Sequence, residues 1–403
     1  ELDKVRAKQE EDKILTGYYG EYATCRNLSY EEIEANIKAG KPYVLRLRSQ
    51  GSPDKEITFV DAIKGEIKLP ENIHDIVLLK KDGIPTYHFA HAIDDHLMRT
   101  TTVVRGGEWL ASAPIHYELF HLLGFKMPAY AHTAHLMKFD EETGGKRKLS
   151  KRKDPELSLD YYRKDGYHPY TMKVYLLTLL NSNFEEWHEK FPDKDINEFP
   201  FSVEKMNQSG ALFDKDKLHN ICKNELSKLS EEELYDFLYD WAKENEPENV
   251  EKWFGDKEKM LQILRLYMGV GAKRRRKDLM YAKQIFELIS YFFDGESAEE
   301  MDEFKLDEDM VSKILKSYLA KYDHNDDNSV WFNKLKEIAD EHGFASDMKA
   351  YKANPENFKG NVSDIAEAVR IAVTGRANTP DLWTIVHIMG EEQMTERIKK
   401  HIK

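Results

Sequence analysis

Apolar and polar residues alternate with a period of two over much of the region from residue 42 to residue 79. This period is typical of β-strands that bury one face, and glycines between the runs mark turns. The pattern predicts strands at 43–48, 57–60, 67–69 and 76–79. Residues 1–40 precede them with a helical pattern, in which Ser29 and Glu32 have the spacing of a capping box.

Between residues 84 and 153 the pattern changes to helices and strands in alternation. It predicts helices from Tyr87 and over 108–123, and strands at 103–104 and 131–137. Alternation of this kind is typical of a parallel sheet with helices packed on it. The sequence therefore predicts an α/β region here.

After Pro155 nearly every apolar run has the helical period. Ser230 and Glu233 form a second capping-box pattern, and it begins a helix with apolar residues at helical spacing. Further helices are predicted at 278–293, 307–321, 331–342, 363–374 and 380–389. The roughly 250 residues after Pro155 are thus predicted to be all-α, an extent typical of more than one domain.

Composition indicates a large protein with several cores and no membrane span. The chain has 403 residues, of which 41% are hydrophobic, and no run of about 18 apolar residues. Cys25 and Cys222 are too few for a disulfide framework, so a cytoplasmic location is expected. The formal net charge of -13 still allows a nucleic-acid partner, provided that local basic surfaces hold it.

The most informative local feature is a basic cluster in this acidic chain. Six of the eight residues from Lys146 to Lys153 are Lys or Arg, and Gly144 and Gly145 precede them. Dense positive charge on a mobile loop suits a polyphosphate, because fixed cations stabilise charge that moves between oxygens. A solvated basic loop is the alternative interpretation.

Residues 148–152, KLSKR, resemble the K-M-S-K-R signature of class I aminoacyl-tRNA synthetases, with Leu149 in place of Met. Further segments resemble the bacterial glutamyl-tRNA synthetase family in the same order: 83–98 (GIPTYHFAHAIDDHLM), 103–110 (VVRGGEWL), 112–116 (SAPIH), 210–218 (GALFDKDKL) and 368–375 (AVRIAVTG). The resemblance covers nearly the whole chain.

This resemblance implies a fold of the α/β plus all-α class. It implies the second half of a Rossmann-like catalytic domain with an acceptor-end α+β insertion, then a helical stem-contact region and α-helical anticodon-binding domains. The expected divisions are 1–83 (acceptor-end insertion), 84–155 (catalytic half with the KLSKR loop), 156–229 (stem contact), 230–306 and 307–403 (two anticodon-binding subdomains).

The resemblance also implies an H-I-G-H-type element that binds ATP phosphates. None of the 15 histidines lies in such a motif. We therefore expect the chain to lack the first quarter or more of a family member. We expect the 403-residue chain by itself to bind tRNA-Glu without catalysing glutamate-dependent ATP–pyrophosphate exchange.

By resemblance, Tyr87 lines the glutamate pocket and Arg105 pairs with the side-chain carboxylate of glutamate. A planar guanidinium suits that role because it can donate two parallel hydrogen bonds. Trp109 resembles a tryptophan behind that pocket, and a structural role is the alternative. His91 stands where relatives often carry Asn beside the pocket, and a buried structural histidine is the alternative. Asp95 matches a position near the terminal adenosine of the tRNA acceptor end.

The same resemblance assigns Lys148, Ser150, Lys151 and Arg152 to catalysis. Lys148 and Lys151 are expected to bind ATP, with Lys151 stabilising the pyrophosphate leaving group. Magnesium is expected to accompany ATP, and the sequence indicates no protein metal site. Cys25 stands where some relatives have a late zinc ligand, but it has no partner at zinc-binding spacing.

The helical C-terminal half distinguishes two related families. Bacterial glutamyl enzymes resembling this chain read the anticodon with helical domains, whereas glutaminyl enzymes usually use β-barrels. By resemblance the anticodon is contacted by Arg370, Thr379, Pro380 and Leu382. The basic run 273–277 is either a second tRNA contact or a solvated loop.

The resemblance therefore implies a cytoplasmic, monomeric glutamate–tRNA ligase with tRNA-Glu, L-glutamate and ATP as partners. The alternative is a non-catalytic tRNA-binding fragment or paralogue of the same family. The KLSKR residues and Arg105 favour the enzyme, because a protein that only binds tRNA needs neither. Whether tRNA-Gln is charged as well stays open.

Overall fold

The computed structural model describes residues 2–140, 142–208, 210–293 and 301–403. The chain divides into two compact units. Unit 1 comprises residues 1–150 and 176–213, and unit 2 comprises residues 151–175 and 214–403. The predicted five-part division stays a prediction, although the region expected to contact the tRNA stem is shared between these two units.

Unit 1 begins with two helices, α1 (Leu2–Glu11) and α2 (Tyr30–Lys38). The side chain of Ser29 accepts from the backbone N–H of Glu32, whose carboxylate accepts from the backbone N–H of Ser29, which confirms the capping box. The helical prediction is wrong for most of the stretch between the two helices, which contains one 3-10 turn, Gly20–Tyr22, and in which Gly17 has a positive φ. That backbone conformation is incompatible with a right-handed helix.

The four predicted strands of the early region are present as β1 (Leu45–Arg46), β2 (Glu56–Asp61), β3 (Gly65–Pro70) and β4 (Val77–Leu79). The alternating region follows as α3 (Tyr87–Leu97), β5 (Thr102–Gly106), α4 (Ala113–Leu122) and β6 (Ala129–Thr133).

The main sheet of unit 1 has the strand order β3-β2-β6-β5. Strands β2 and β3 form an antiparallel hairpin, whereas β6 runs parallel to both β2 and β5. The hairpin meets β6 through the pair Asp61–Tyr130, and β5 meets β6 over five residue pairs that include Arg105–His132. The hairpin is therefore a continuation of the parallel sheet.

Two predicted elements are divided in the structure. The predicted helix over 108–123 consists of a 3-10 helix, Gly107–Ser112, followed by α4, because Pro114 occupies the first turn of a new helix. The predicted strand over 131–137 ends at Thr133, and the chain resumes as β7 (Leu136–Phe139) in a second sheet. The partners of β7 there are β8 (Lys146–Lys148) and β9 (Ala211–Leu212).

The basic cluster predicted as a mobile loop therefore starts as a strand, and that prediction is wrong for Lys146–Lys148. The side chain of Asp140 accepts from the backbone N–H groups of Glu142 and Thr143 and so closes the turn between β7 and β8. Backbone pairing with β7 fixes this part of the cluster.

Helices are the main secondary structure of the rest of the described chain. They are α5 (Leu159–Asp165), α6 (Pro169–Leu180), α7 (Phe184–Lys190), α8 (Lys215–Leu226), α9 (Glu231–Asn245), α10 (Val250–Phe254), α11 (Lys257–Met268), α12 (Ala282–Ile289), α13 (Glu308–Lys321), α14 (Asn328–His342), α15 (Met348–Ala353), α16 (Val362–Thr374), α17 (Leu382–Met389) and α18 (Glu391–Lys399).

One hydrophobic core extends through unit 2 from Leu226 to Ile398. It has members on both sides of residue 306, where two subdomains were expected to separate. The helix predicted over 278–293 is present as α12 and a following 3-10 turn. The second capping box, between Ser230 and Glu233, is also confirmed.

Candidate active site

A row of side chains on one face of α3 forms one side of a cluster of polar and aromatic side chains around Arg105 in unit 1, which we call the pocket. Tyr87, His91 and Asp95 follow one another at intervals of four residues, the spacing that places side chains on one helix face. Tyr87 is 48% exposed, whereas His91 is buried. Nδ1 of His91 contacts the Asp95 carboxylate, and Nε2 lies 2.7 Å from the hydroxyl of Tyr130. Because Asp95 accepts the proton of Nδ1, Nε2 accepts from Tyr130.

Arg105 enters this pocket from β5. Its Nε donates to Nε2 of His132 at 3.0 Å, and its Nη1 lies 3.2 Å from Nδ1 of His116. Its guanidinium carbon lies 4.5 Å from the ring centroid of Tyr130. The third nitrogen, Nη2, is buried and has no hydrogen-bond partner among the described residues. Since a buried guanidinium N–H without a partner is costly, the geometry indicates a place for an acceptor.

Behind Arg105 lies a fully buried pair formed by His132 and Asp61. Nδ1 of His132 is 2.6 Å from Oδ2 of Asp61, and neither side chain is exposed. Burial alone would raise the pKa of Asp61, but hydrogen bonds from the backbone of Lys64, from His132 and from the backbone of Ile63 lower it overall. Burial lowers the pKa of His132, against the opposing effect of Asp61. The pair is thus a carboxylate and a neutral imidazole.

A second histidine pair supports the other side of Arg105. Nε2 of His116 lies 3.0 Å from Nδ1 of His88. Burial, together with the neighbouring His91 and Arg105, lowers the pKa of His116 to about 2, and burial also lowers the pKa of His88 and His91. Because Arg105 can only donate, Nδ1 of His116 accepts from it and Nε2 donates to His88. All four imidazoles of the pocket are therefore neutral at pH 7.

Aromatic rings complete the pocket. The ring of Tyr87 lies 4.3 Å from that of Trp109 and stacks on His91 at 5.9 Å between centroids. Trp109 also lies 5.9 Å from the guanidinium carbon of Arg105. The structure thus brings together the four residues predicted to bind glutamate, which are Tyr87, His91, Arg105 and Trp109. Asp95 joins them through His91.

The basic strand β8 presents Lys148 near a carboxylate of the same unit. Nζ of Lys148 lies 3.9 Å from Glu108, which also lies 3.5 Å from Nδ1 of His135. Gly106 permits this arrangement, since a Cβ at that position would overlap the Glu108 carboxylate. Leu149, the residue that departs from the K-M-S-K-R pattern, is 2% exposed and anchors the strand.

Ser150 ends the first segment of unit 1, while Lys151 and Arg152 belong to unit 2, where both are exposed. The four predicted catalytic residues lie within positions 148–152, and the division between the units falls after Ser150. Their roles stay predictions.

The predicted anticodon residues lie around the end of α16 and the start of α17. Arg370 lines a surface cavity with Asp381 and Leu382, and burial lowers its pKa. Its Nη1 lies 3.4 Å from a backbone carbonyl, and its Nε has no partner among the described residues. The hydroxyl of Thr379 donates to the carbonyl of Pro380. Leu382 is 3% exposed and belongs to the core, so its side chain offers little surface to a base.

Three arginines from the run at 273–277 and from α11 line a second cavity of unit 2, together with Pro380. They are Arg265, Arg274 and Arg276. Arg265 pairs with Glu231 at 2.9 Å, and Nε of Arg276 lies 2.7 Å from Asp278. Arg274 is exposed at the rim of this cavity.

Four pocket residues were not singled out from the sequence: Asp61, His116, Tyr130 and His132. Asp61 and His132 are 71 residues apart, so no local spacing connects them. His116 could have been found from the sequence, because it lies in the SAPIH segment that resembles the family.

Within the described residues no group of three or more His, Cys, Asp or Glu side chains is placed to hold a metal ion. Cys25 is exposed and forms no disulfide with Cys222.

Two family models match the chain. One, described as tRNA synthetases class I (E and Q), catalytic domain, matches residues 1–220, and the other, an anticodon-binding domain, matches residues 233–402. A glutamate–tRNA ligase from Acetivibrio thermocellus is 52% identical over 402 residues, which are 99% of this chain and 73% of that protein. A glutamate–tRNA ligase from Clostridium perfringens is 46% identical over 407 residues, which cover 100% and 73% of the two chains.

Solved structures agree with these sequence matches. A glutamate tRNA ligase from Elizabethkingia meningosepticum, solved in complex with its amino acid, superposes with a TM-score of 0.71 at 25% identity. The match covers 99% of this chain and 77% of that one. A glutamate-tRNA synthetase from Elizabethkingia anophelis gives a TM-score of 0.70 at 25% identity and covers 100% and 77%.

Proposed function

Since this chain belongs to the class I glutamate–tRNA ligase family, we propose that it activates glutamate with ATP and transfers it to the 3′ end of tRNA-Glu. In the first step the α-carboxylate of glutamate attacks the α-phosphate of ATP, which releases pyrophosphate and forms a mixed anhydride. In the second step a terminal ribose hydroxyl of the tRNA attacks the anhydride carbonyl, and AMP leaves. Positioning and electrostatic stabilisation carry both steps.

The observation that carries the proposal is the hydrogen bonding of the Arg105 guanidinium. Its Nη2 is buried without a partner among the described residues, and its other two nitrogens donate to neutral imidazoles. A carboxylate in front of Nη2 would accept its hydrogen bonds. It would also pair with a positive charge that neutral imidazoles do not offset. We assign this place to the side-chain carboxylate of glutamate, with Tyr87 and Trp109 beside its methylene groups.

We assign Lys148 and Lys151 to the phosphates of ATP, with Ser150 and Arg152 in the same catalytic segment. A protonated ammonium beside a triphosphate stabilises the negative charge that develops on pyrophosphate. Mg²⁺ would be held by the ATP phosphates with few protein ligands, which is the usual way in which proteins bind this ion.

The tRNA is assigned to both units. In unit 1 we propose that Asp95 lies near the acceptor end, where its contact with His91 couples it to the glutamate pocket. In unit 2 we propose that Arg370, Thr379 and Pro380 contact the anticodon, since unpaired bases expose edges to such donors and acceptors. Leu382, which is buried in the core, would support the backbone of these residues from beneath.

We further propose that the enzyme is a cytoplasmic monomer. Among the described residues, no helix has the length and apolar character that crossing a membrane demands.

A charging assay run with tRNA-Glu and with tRNA-Gln would establish which of the two tRNAs is a substrate.

The test of the glutamate pocket is Arg105→Ala in the complete gene product. Removing one member of a desolvated charge pair costs about 2–5 kcal/mol, so the KM for glutamate should rise and kcat/KM should fall by about 30-fold or more. Steady-state ATP–pyrophosphate exchange gives both constants. Arg6→Ala, which changes an exposed arginine of α1, is the control. Unchanged glutamate kinetics in Arg105→Ala would refute the pocket assignment.

A further inference from the structure

We propose that Asp61 is a positioning residue for the glutamate site and acts on Arg105 through His132. The chain of contacts is continuous, from Asp61 Oδ2 to His132 Nδ1 at 2.6 Å and from His132 Nε2 to Arg105 Nε at 3.0 Å. This inference rests on the proposed function, since it assumes that Arg105 binds the substrate carboxylate. It adds two residues, on β2 and β6, that do not touch the substrate.

Asp61 selects the tautomer of His132. An ionised carboxylate only accepts hydrogen bonds, so the proton of the neutral imidazole must lie on Nδ1. Nε2 is then an acceptor, which is the form that can receive the N–H of Arg105 Nε. The opposite tautomer would place two N–H groups against each other and release the guanidinium from this side.

Asp61 is itself held in place by more than the imidazole. Its Oδ1 accepts from the backbone N–H groups of Ile63 and Lys64 at 3.0 and 2.9 Å. The backbone N–H of His132 also donates to its carboxylate. Because these donors occupy fixed backbone positions, the carboxylate cannot turn away from the ring.

The intervening imidazole also preserves the charge of the guanidinium. Within the described chain no carboxylate lies within ion-pair distance of Arg105, whose polar contacts are His132 and His116. A carboxylate directly on Arg105 would compete with the substrate for the same donors. Placed behind an imidazole, Asp61 orients the guanidinium and leaves a donor edge for the ligand.

The first test compares Asp61→Asn with Asp75→Asn. Asp75 is another buried carboxylate of unit 1, but its partners are Arg26 and Ser49. Asp61→Asn should raise the KM for glutamate about 10-fold or more, because small misplacements of a binding group cost this much, while the KM for ATP changes little. Asp75→Asn should leave both KM values near those of the wild type. An equal rise in both variants would show a general loss of structure and overturn the proposal.

The second test reads the tautomer directly. In wild-type protein labelled with ¹⁵N-histidine, the Nδ1 signal of His132 should be that of a protonated nitrogen and the Nε2 signal that of an unprotonated one. In Asp61→Asn the amide can donate to Nδ1, so the two signals should move toward each other or exchange character. A His132 tautomer that is unchanged in Asp61→Asn would contradict the inference even if KM had risen.

The third test separates the two contacts of His132. In His132→Asn the amide takes the place of Nδ1 and can reach Asp61, but no atom remains at the position of Nε2. In His132→Gln the amide reaches the position of Nε2 and can accept from Arg105. We expect His132→Gln to retain a lower glutamate KM than His132→Asn, and the reverse order would overturn the proposal.

Failure of this inference and failure of the proposed function give different results. If Arg105→Ala has normal glutamate kinetics, the pocket assignment fails. If Arg105→Ala is defective but Asp61→Asn and both His132 variants are normal, only the positioning role fails.

Discussion

Arg105 is held by neutral imidazoles, and these are neutral because burial outweighs the nearby carboxylates. Burial is the largest cause of the lowered pKa of His91, His116 and His132, although Asp95 and Asp61 act in the opposite direction on two of them. A histidine in the unfolded chain has a pKa near 6.5 and takes up a proton below that pH. The folded pocket binds fewer protons than the unfolded chain. The free energy of unfolding is therefore not reduced by these histidines above about pH 6.5, and it falls as the pH falls below that value.

We therefore expect unit 1 to lose stability between pH 7 and pH 5, by up to about 1.4 kcal/mol per pH unit for each such histidine. The lowered pKa of Asp61 does not affect this range, because its own contribution is lost only below about pH 4. Hydrogen exchange of peptides from β5 and β6 measures the effect. In His116→Gln the dependence on pH should weaken by about one proton, and an unchanged dependence would contradict the neutral state of His116.

Lys151 allows a second prediction at this scale. Lys151→Ala in the complete gene product should slow glutamyl-adenylate formation by about 100-fold while tRNA affinity stays nearly intact, as for other donors that act in the transition state. Pyrophosphate exchange and a tRNA-binding titration measure the two effects. Lys153→Ala removes the same charge two residues away and should have a small effect on exchange. Unchanged exchange together with weakened tRNA binding in Lys151→Ala would make the segment a nucleic-acid contact.

How far the sequence predicts these residues depends on how local their signals are. Arg105, Tyr87 and Trp109 lie in segments that resemble a family, so they could be found without a structure. The link from His91 to Asp95 has helical spacing and could in principle be read from sequence. Asp61 could not, because its partner His132 is 71 residues away and only the strand order brings them together.

At the scale of elements, caps were predictable and changes of sheet were not. Ser29 with Glu32 and Ser230 with Glu233 use side chains three residues apart, and both boxes are present. The sequence predicts a single strand over 131–137, yet the two parts of this segment pair in different sheets. An alternating pattern tells which side chains are buried, but not against which strand.

The cap of α9 gives a prediction for an element. Oγ of Ser230 accepts from the backbone N–H of Glu233, so Ser230→Ala should lower the free energy of unfolding of unit 2 by about 1 kcal/mol. Urea denaturation followed by far-UV circular dichroism measures this change. Ser227→Ala is the control, since its hydroxyl donates to the carbonyl of Asn224 at the preceding helix end and its removal should cost about 0.5 kcal/mol or less. Equal destabilisation in the two variants would show that the box contributes nothing particular.

At the scale of the molecule, an enzyme of net charge -13 must bind a polyanion through restricted basic areas. The arginine-lined cavity of unit 2 is one such area. We expect the double variant Arg274→Ala/Arg276→Ala to weaken tRNA binding and to reduce the slope of log K against log salt by about 1 for each phosphate that is no longer neutralised. A filter-binding titration at several salt concentrations measures the slope.

The matched control removes equal charge from the same unit at Lys349 and Lys352, which are exposed on α15. Its slope should stay close to that of the wild type. If the control lowers the slope as much as the arginine variant does, tRNA binding depends on overall charge rather than on the cavity.

The hairpin of β2 and β3 has a consequence for protein engineering. It joins the parallel sheet at Asp61, and the same residue holds His132. A chimaera that exchanges residues before 84 for those of a relative would therefore replace part of the support of Arg105 together with the transplanted hairpin. Such an exchange should preserve glutamate selectivity only where the donor segment supplies a carboxylate in the same register, so the choice of donor for residues 1–83 is tied to the residues around Arg105.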